Sequence, residues 1–353
     1  MRRSKLCRSI ILSFTYLVAA ITLLTIPRYS MAKDRVIELK YAVLESAQSA
    51  RTVYGHAPWA KMLEKATGGR VKVTVFPSAS LAGARQVYDA TINGLVDIAY
   101  VAIPHYPGRF PLSEALIHPG SNLSTPALAS KVAMKMYRKY PQMQAEYKQV
   151  KFLFMYGFAP ISTATVKKPI RTVEDVKGLR LRVAQKGIAE LLKSVGASPM
   201  FIKPGDIFLN LQKGVIDGSV MGWSGHRAFG TIKLAKYFTE VPAFPGPFFF
   251  FAMNKNKWNK LPVDVQKAIM SVSGDTGSRH FAKSAEKETE LATKDLRNSP
   301  DKEIITLSKK EIDRWTELSK PIQEKMISRL ESKGLPGREF FEDIKKLVAE
   351  YKK

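Results

Sequence analysis

The run Leu179-Arg180-Leu181-Arg182-Val183 carries the side chains best suited to chemistry. Alternation at period two puts Leu179, Leu181 and Val183 on one face of a strand and both guanidiniums on the other. In open α/β sheets ligands sit beyond the carboxyl ends of strands, so Arg182, nearer that end than Arg180, is better placed to reach a cleft. Its planar fork of donors fits a carboxylate bidentately, which an ammonium cannot do. The same alternation also fits an ordinary salt bridge at the surface. Trp223, just past the end of a strand at 215–220, offers an indole that either stacks over the flat or apolar part of a ligand or packs between lobes.

Other chemistries lack their residues. The five histidines, at 56, 105, 118, 226 and 280, show no H-x-H or H-E-x-x-H spacing, so no metal site is expected. The single cysteine, Cys7, lies near the start of the chain and leaves the rest without a thiol for disulfides, clusters or nucleophilic attack. Gly222-Trp223-Ser224-Gly225-His226 only superficially echoes a nucleophile elbow, and no phosphate-cradling loop is present. No catalytic residue and no cofactor are therefore expected, with a periplasmic hydrolase using Ser224 and His226 as a minor alternative.

The elements that must position Arg182 follow from the pattern. Residues 1–32 read as an export signal: Arg2, Arg3, Lys5 and Arg8 precede an apolar stretch at 10–26, and Ser30-Met31-Ala32 forms a small-x-small processing site. A periplasmic location follows. Five basic residues and no acid fall in this segment, so its removal takes the formal charge from +25 to +20. The remaining Lys and Arg are spread along the chain rather than gathered on one arm or helix, which argues against nucleic acid as a partner.

From residue 36 onward strands and helices alternate: strands at 36–43, 71–76 and 96–101, with helices from Trp59 to Gly68-Gly69 and at 85–93. Ser124-Thr125-Pro126 opens a helix through Tyr137, and a strand follows at 151–156. Thr172 and Asp175 cap a short turn ended by Gly178. The strand at 179–183 comes next, then a helix at 207–213. The aromatic run at 243–254 reads as a buried strand returning to the first lobe. Helical pattern from 262 to 298, without internal proline, suits one or two long helices bracing both lobes, and further helices cover 312–330 and 340–351. The fold class is α/β with two interleaved lobes.

Several linked segments carry a resemblance. Lys168-Pro169, Glu174-Asp175, Gly178 to Val183, Gly196-Ala197-Ser198-Pro199 and Leu211-Gln212-Lys213-Gly214-Val215-Ile216-Asp217-Gly218 follow one another at consistent distances, preceded by Pro77, Leu81, Gln86 and Asn93-Gly94-Leu95-Val96-Asp97-Ile98-Ala99. In order and spacing this resembles the dicarboxylate-receptor (DctP-like) family, the solute receptors of tripartite ATP-independent periplasmic (TRAP) transporters. The resemblance implies a type II periplasmic binding-protein fold with a hinge and a long lobe-spanning helix. It implies lobe I at 33–157 plus 245–285 and lobe II at 158–244 plus 286–353.

It also implies capture of a small organic carboxylate and delivery to TRAP permease membrane subunits. The family's carboxylate-binding arginine falls on Arg182. Gln86 falls where the family often has a ligand-reaching amide or acid, although a solvent-facing helix start accounts for it equally well. Phe158 and Ser162 fall in the crossover that often supplies another contact. Tyr106-Pro107-Gly108-Arg109-Phe110-Pro111-Leu112 resembles a branch that includes keto-acid and related monocarboxylate receptors, and it offers the Tyr106 hydroxyl. Where common members have Glu and then Asn after Val-Asp-Gly, this chain has Ser219 to Ser224 with Trp223, which points to a keto, aliphatic or aromatic carboxylate and away from a co-bound cation. A receptor for an ABC importer or a sensor has the same kind of site.

Overall fold

The computed structural model describes residues 36–158 and 160–351, so the expected export signal lies outside the described residues. Among the described residues eleven strands fall into two sheets. They are β1 (Ile37–Ala42), β2 (Val71–Phe76), β3 (Ile98–Ala102), β4 (Val150–Gly157), β5 (Ser162–Thr165), β6 (Arg180–Val183), β7 (Ser198–Phe201), β8 (Gly218–Met221), β9 (Tyr237–Glu240), β10 (Phe248–Asn254) and β11 (Glu303–Thr306). The first sheet runs β2-β1-β3-β10-β4 and the second β11-β9-β5-β8-β6-β7.

Within the first sheet β1 is parallel to β2 and β3, as βαβ units require, while β10 returns antiparallel to both β3 and β4. In the second, β6 lies parallel to β7 and β8, and β5 runs antiparallel to β8 and β9. Each sheet has its own main hydrophobic core. The result is the two-lobed α/β fold, with the chain passing between sheets after β4, after β9 and before β11.

The helices that matter for the site are α1 (Ala57–Ala66), α2 (Val87–Ile92), α3 (Pro126–Lys139), α4 (Lys186–Ser194), α5 (Trp223–Ala228), α6 (Val263–Ser271), α7 (Gly274–Arg297), α8 (Lys309–Glu331) and α9 (Gly337–Tyr351). Thr125 caps α3 through its hydroxyl, which accepts from the Leu128 amide at 3.1 Å, and Pro126 stands in the first turn. The pattern at 262–298 resolves into α6 and α7, because Ser273 is extended and Gly274 adopts φ +50°. The longer of the two, α7, packs on β4 and α3 of the first sheet and on α5 and β11 of the second, so it braces both lobes. Gly277 allows this approach: a Cβ there would sit 2.6 Å from the Phe154 ring.

Every residue of β10 is buried, as its apolar run requires. Phe251 stacks on Phe154 at 4.3 Å between centroids and lies 4.4 Å from Phe281 of α7. Each such ring contributes roughly 1.5–3 kcal/mol by leaving water. The C-terminal helices contribute side chains to both cores. Phe340, Phe341, Ile344 and Val348 of α9 belong to the core of the first sheet, while α8 divides, with Trp315 and Ile322 in the second core and Met326, Ile327 and Leu330 in the first. The apolar face of α9 therefore packs on α3 and α8.

Candidate ligand cleft between the sheets

A cavity of about 570 Å³ is lined by residues of both lobes. Leu44, Glu45 and Ser46 follow β1, Ala102, Pro104 and His105 follow β3, Arg182 to Gln185 end β6, and Val220 to Gly222 end β8. All four groups lie at carboxyl ends of parallel strands, where open α/β sheets leave room for a ligand. Two crossing segments close the back. The Phe158 amide donates to the Pro247 carbonyl at 3.1 Å and the Ile161 amide to the Phe244 carbonyl at 3.0 Å, which ties the outward and returning chains together.

The two arginines of β6 have separate fates. Arg180 is exposed and forms a fork with Asp217, its Nε and Nη2 lying 3.0 and 2.7 Å from the carboxylate oxygens. Arg182 is only 6% exposed. Its Nε donates to the Ile202 carbonyl at 3.1 Å, and among the described residues no acidic side chain is bonded to it. Burial lowers its pKa to about 10, still a full cation at neutral pH. A buried guanidinium facing a cavity without a counter-ion is costly unless an anion joins it.

Phe158 is the other expected site residue that lines the cavity, 5% exposed. The remaining four do not. Trp223 is 2% exposed and stacks on Phe238 at 5.8 Å, and its indole N–H donates to Glu240 at 2.8 Å, so it serves the core of the second lobe. The Tyr106 hydroxyl accepts from the Tyr88 amide at 3.0 Å, and the ring packs edge-on against Tyr88 and Phe110. Ser162 is fully buried within β5, where its carbonyl meets His226 at 3.2 Å. Gln86 is exposed at the start of α2.

A second arginine was not anticipated. Arg51 lines the same cavity and sits in a buried cluster that joins the lobes. Its Nε and Nη2 each donate to one oxygen of Glu288 on α7 at 3.0 Å, while Nη1 donates to Glu45 and, at 2.8 Å, to the Tyr100 hydroxyl. Nη2 also reaches the Ser224 hydroxyl of α5 at 3.3 Å. Its guanidinium carbon lies 4.4 Å from the centroid of the Phe158 ring, within cation–π range. Burial opposes charge on Glu45, but Arg51 and His56 beside it hold its pKa down to about 2.

With this geometry in view, the comparisons with known proteins are direct. The chain matches the profile of the bacterial extracellular solute-binding protein family 7 (DctP) over residues 45–330. It belongs to that family. The fold is similar to that of a TRAP solute-binding protein from Rhodoferax ferrireducens, solved with copurified benzoate, with a TM-score of 0.82 and 24% identity over 90% of this chain and 98% of that one. A marine metagenome TRAP solute-binding protein specific for aromatic acid ligands, solved with 3-hydroxybenzoate, gives a TM-score of 0.81 and 26% identity over 90% of this chain and 99% of that one. The chain is also 28% identical over 241 residues to the monocarboxylate 2-oxoacid-binding periplasmic protein of Nostoc sp., covering 64% of this chain and 62% of that protein.

As a DctP-family chain it is a solute-binding receptor by kinship, and among the described residues no helix is long and apolar enough to cross a membrane. The missed residues carried one readable signal. Glu45 lies three residues past the end of β1, so the same strand-end rule that marked Arg182 also marks the segment leading to Arg51. Glu288 carried none, since it stands 237 residues from its partner in sequence.

Proposed function

We propose that this DctP-family protein is the extracytoplasmic receptor of a TRAP-type transporter and captures a small carboxylate with an apolar, ring-sized body. Arg182 pairs with the carboxylate, Phe158 and Phe249 flank the body, and the lobes close about the paired crossing segments after β4 and before β10. The closed form then docks to the membrane permease. The single observation that carries this reading is a buried, acid-free guanidinium facing a cavity at the strand ends of both lobes. Export through cleavage near residue 32 supplies the compartment.

Capture without catalysis fits the same site. His226 is fully buried, its Nε2 is engaged by the Ser162 carbonyl, and the Ser224 hydroxyl is occupied by Arg51, so the two side chains do not form a nucleophile and base. The aromatic acids and 2-oxoacids bound by the relatives have the size and single charge this cavity asks for.

A thermal-shift screen of keto, aliphatic and aromatic carboxylates on the parent and on Arg182→Ala tests the proposal. A ligand at a hundred times its Kd stabilises the parent by about 2.7 kcal/mol and leaves the variant's midpoint unmoved. Equal shifts in both proteins would reject Arg182 as the anchor.

A further inference from the structure

The cavity holds two guanidiniums, and a count of cations alone gives a site for dicarboxylates. The hydrogen bonds of Arg51 give a different result. A guanidinium has five N–H donors. Those of Arg51 go to the two oxygens of Glu288, to Glu45, to the Tyr100 hydroxyl and to the Ser224 hydroxyl. Nothing is left to donate to a ligand, and one positive charge is shared by two carboxylates.

Glu45 lines the cavity together with Arg51 and Ser224, and its Oε2 is buried without a hydrogen-bond partner. The groups facing it are Arg51, the Tyr100 hydroxyl, more distantly Tyr41, Tyr156 and His105, and His56, whose Nε2 lies 3.6 Å from Oε2. Burial lowers the pKa of His105, so it adds no cation at neutral pH. His56 is fully buried, with its other ring nitrogen on the Tyr41 hydroxyl, and burial keeps it in the neutral form. Arg51 is therefore the only cation beside Glu45 among the described residues, and it is already divided with Glu288. Arg182 is at a different part of the wall, bonded to Ile202 and not to this cluster.

We infer that Glu45 is a specificity-determining residue that restricts the cleft to monocarboxylates, by setting an ionised oxygen with no spare counter-charge against the end of the ligand remote from Arg182. This deepens the proposed function and rests on it. A neutral ring or chain meets Phe158, Phe249 and a satisfied cation, whereas a second carboxylate meets a like charge in a poorly solvated site, a repulsive element of the kind that specific sites use. The overall excess of basic residues does not reverse this, because exposed charges are screened within about 8 Å in physiological salt and buried ones are not.

Calorimetric titration of matched pairs on the mature protein provides the test: benzoate against terephthalate and hexanoate against adipate, on the parent, Glu45→Gln and Glu45→Asp. The parent should prefer each monocarboxylate by at least about tenfold. Glu45→Gln, isosteric but uncharged, should narrow the preference by about tenfold, and Glu45→Asp, which keeps the charge, should retain it. Parent affinities for both members of a pair within about threefold would overturn the inference even if the variants failed to fold, as would an unchanged preference in Glu45→Gln. Those outcomes leave Arg182 capture standing. Binding of neither member of either pair, with no monocarboxylate shift in the wider screen, would instead remove the proposed function and the inference with it.

Discussion

Arg51 and Arg182 face one cavity from opposite lobes, yet they occupy opposite electrostatic situations. Arg51 is bonded at every donor and divided between two acids, while Arg182 has one backbone carbonyl and an open cavity. The difference separates architecture from function. A buried cation whose partners are all internal belongs to the scaffold, and one bonded only to a backbone carbonyl at a cavity wall is the anchor we propose for the carboxylate.

The largest effect that can break this comparison is on stability. Arg51→Met strands the buried Glu288 and the partly buried Glu45 carboxylates and should destabilise the protein by about 3 kcal/mol. Arg182→Met removes a buried charge that has no acid partner and should leave unliganded stability unchanged or raised. Urea unfolding without ligand measures both, and equal losses would erase the distinction. Next in size is affinity. Arg182→Lys keeps the charge and loses the fork, so calorimetry should show a loss of about 2 kcal/mol in binding, whereas a variant that binds as the parent does would show that charge alone suffices.

The histidine beside Arg182 sharpens the contrast through pH. Burial first, and the Arg182 charge as well, lower the His226 pKa to about 4. Between its unfolded value near 6.5 and about 4 the unfolded chain binds the extra proton, so the stability His226 contributes is present above this window and lost as pH falls through it. The loss amounts to at most roughly 1.4 kcal/mol per pH unit. His226→Phe should flatten the stability profile over that window relative to the parent, and parallel profiles would show that His226 takes up its proton at the same pH folded as unfolded. The smallest effect concerns Phe158, whose ring supports Arg51. Phe158→Leu should cost about 1 kcal/mol of stability in urea, and no change would mean the cation–π contact contributes nothing.

The sequence announced the frame of the fold well where apolar period and punctuation agreed. The βαβ opening, the Thr125 cap, the buried aromatic strand β10 and the strand carrying Arg182 all stand near their expected positions. Four-residue strands such as β5, β9 and β11 gave too short a run for alternation to register, and they form because neighbouring strands offer them ladder partners. Trp223 sat at the right strand end, but the Glu240 carboxylate and the Phe238 ring that turn it inward come from β9, which the pattern did not reveal. Arg182 was legible because one strand fixes its direction. The Arg51 cluster was not, because it is assembled by tertiary contacts from four separate segments.

A crystal structure of the protein with a bound aromatic monocarboxylate tests the central claim most directly. The account predicts both carboxylate oxygens within about 3 Å of the Arg182 guanidinium, with the Arg51–Glu288 pair intact. A carboxylate seated on Arg51 with Glu288 displaced, or Arg182 left unpaired beside the ligand, would contradict it.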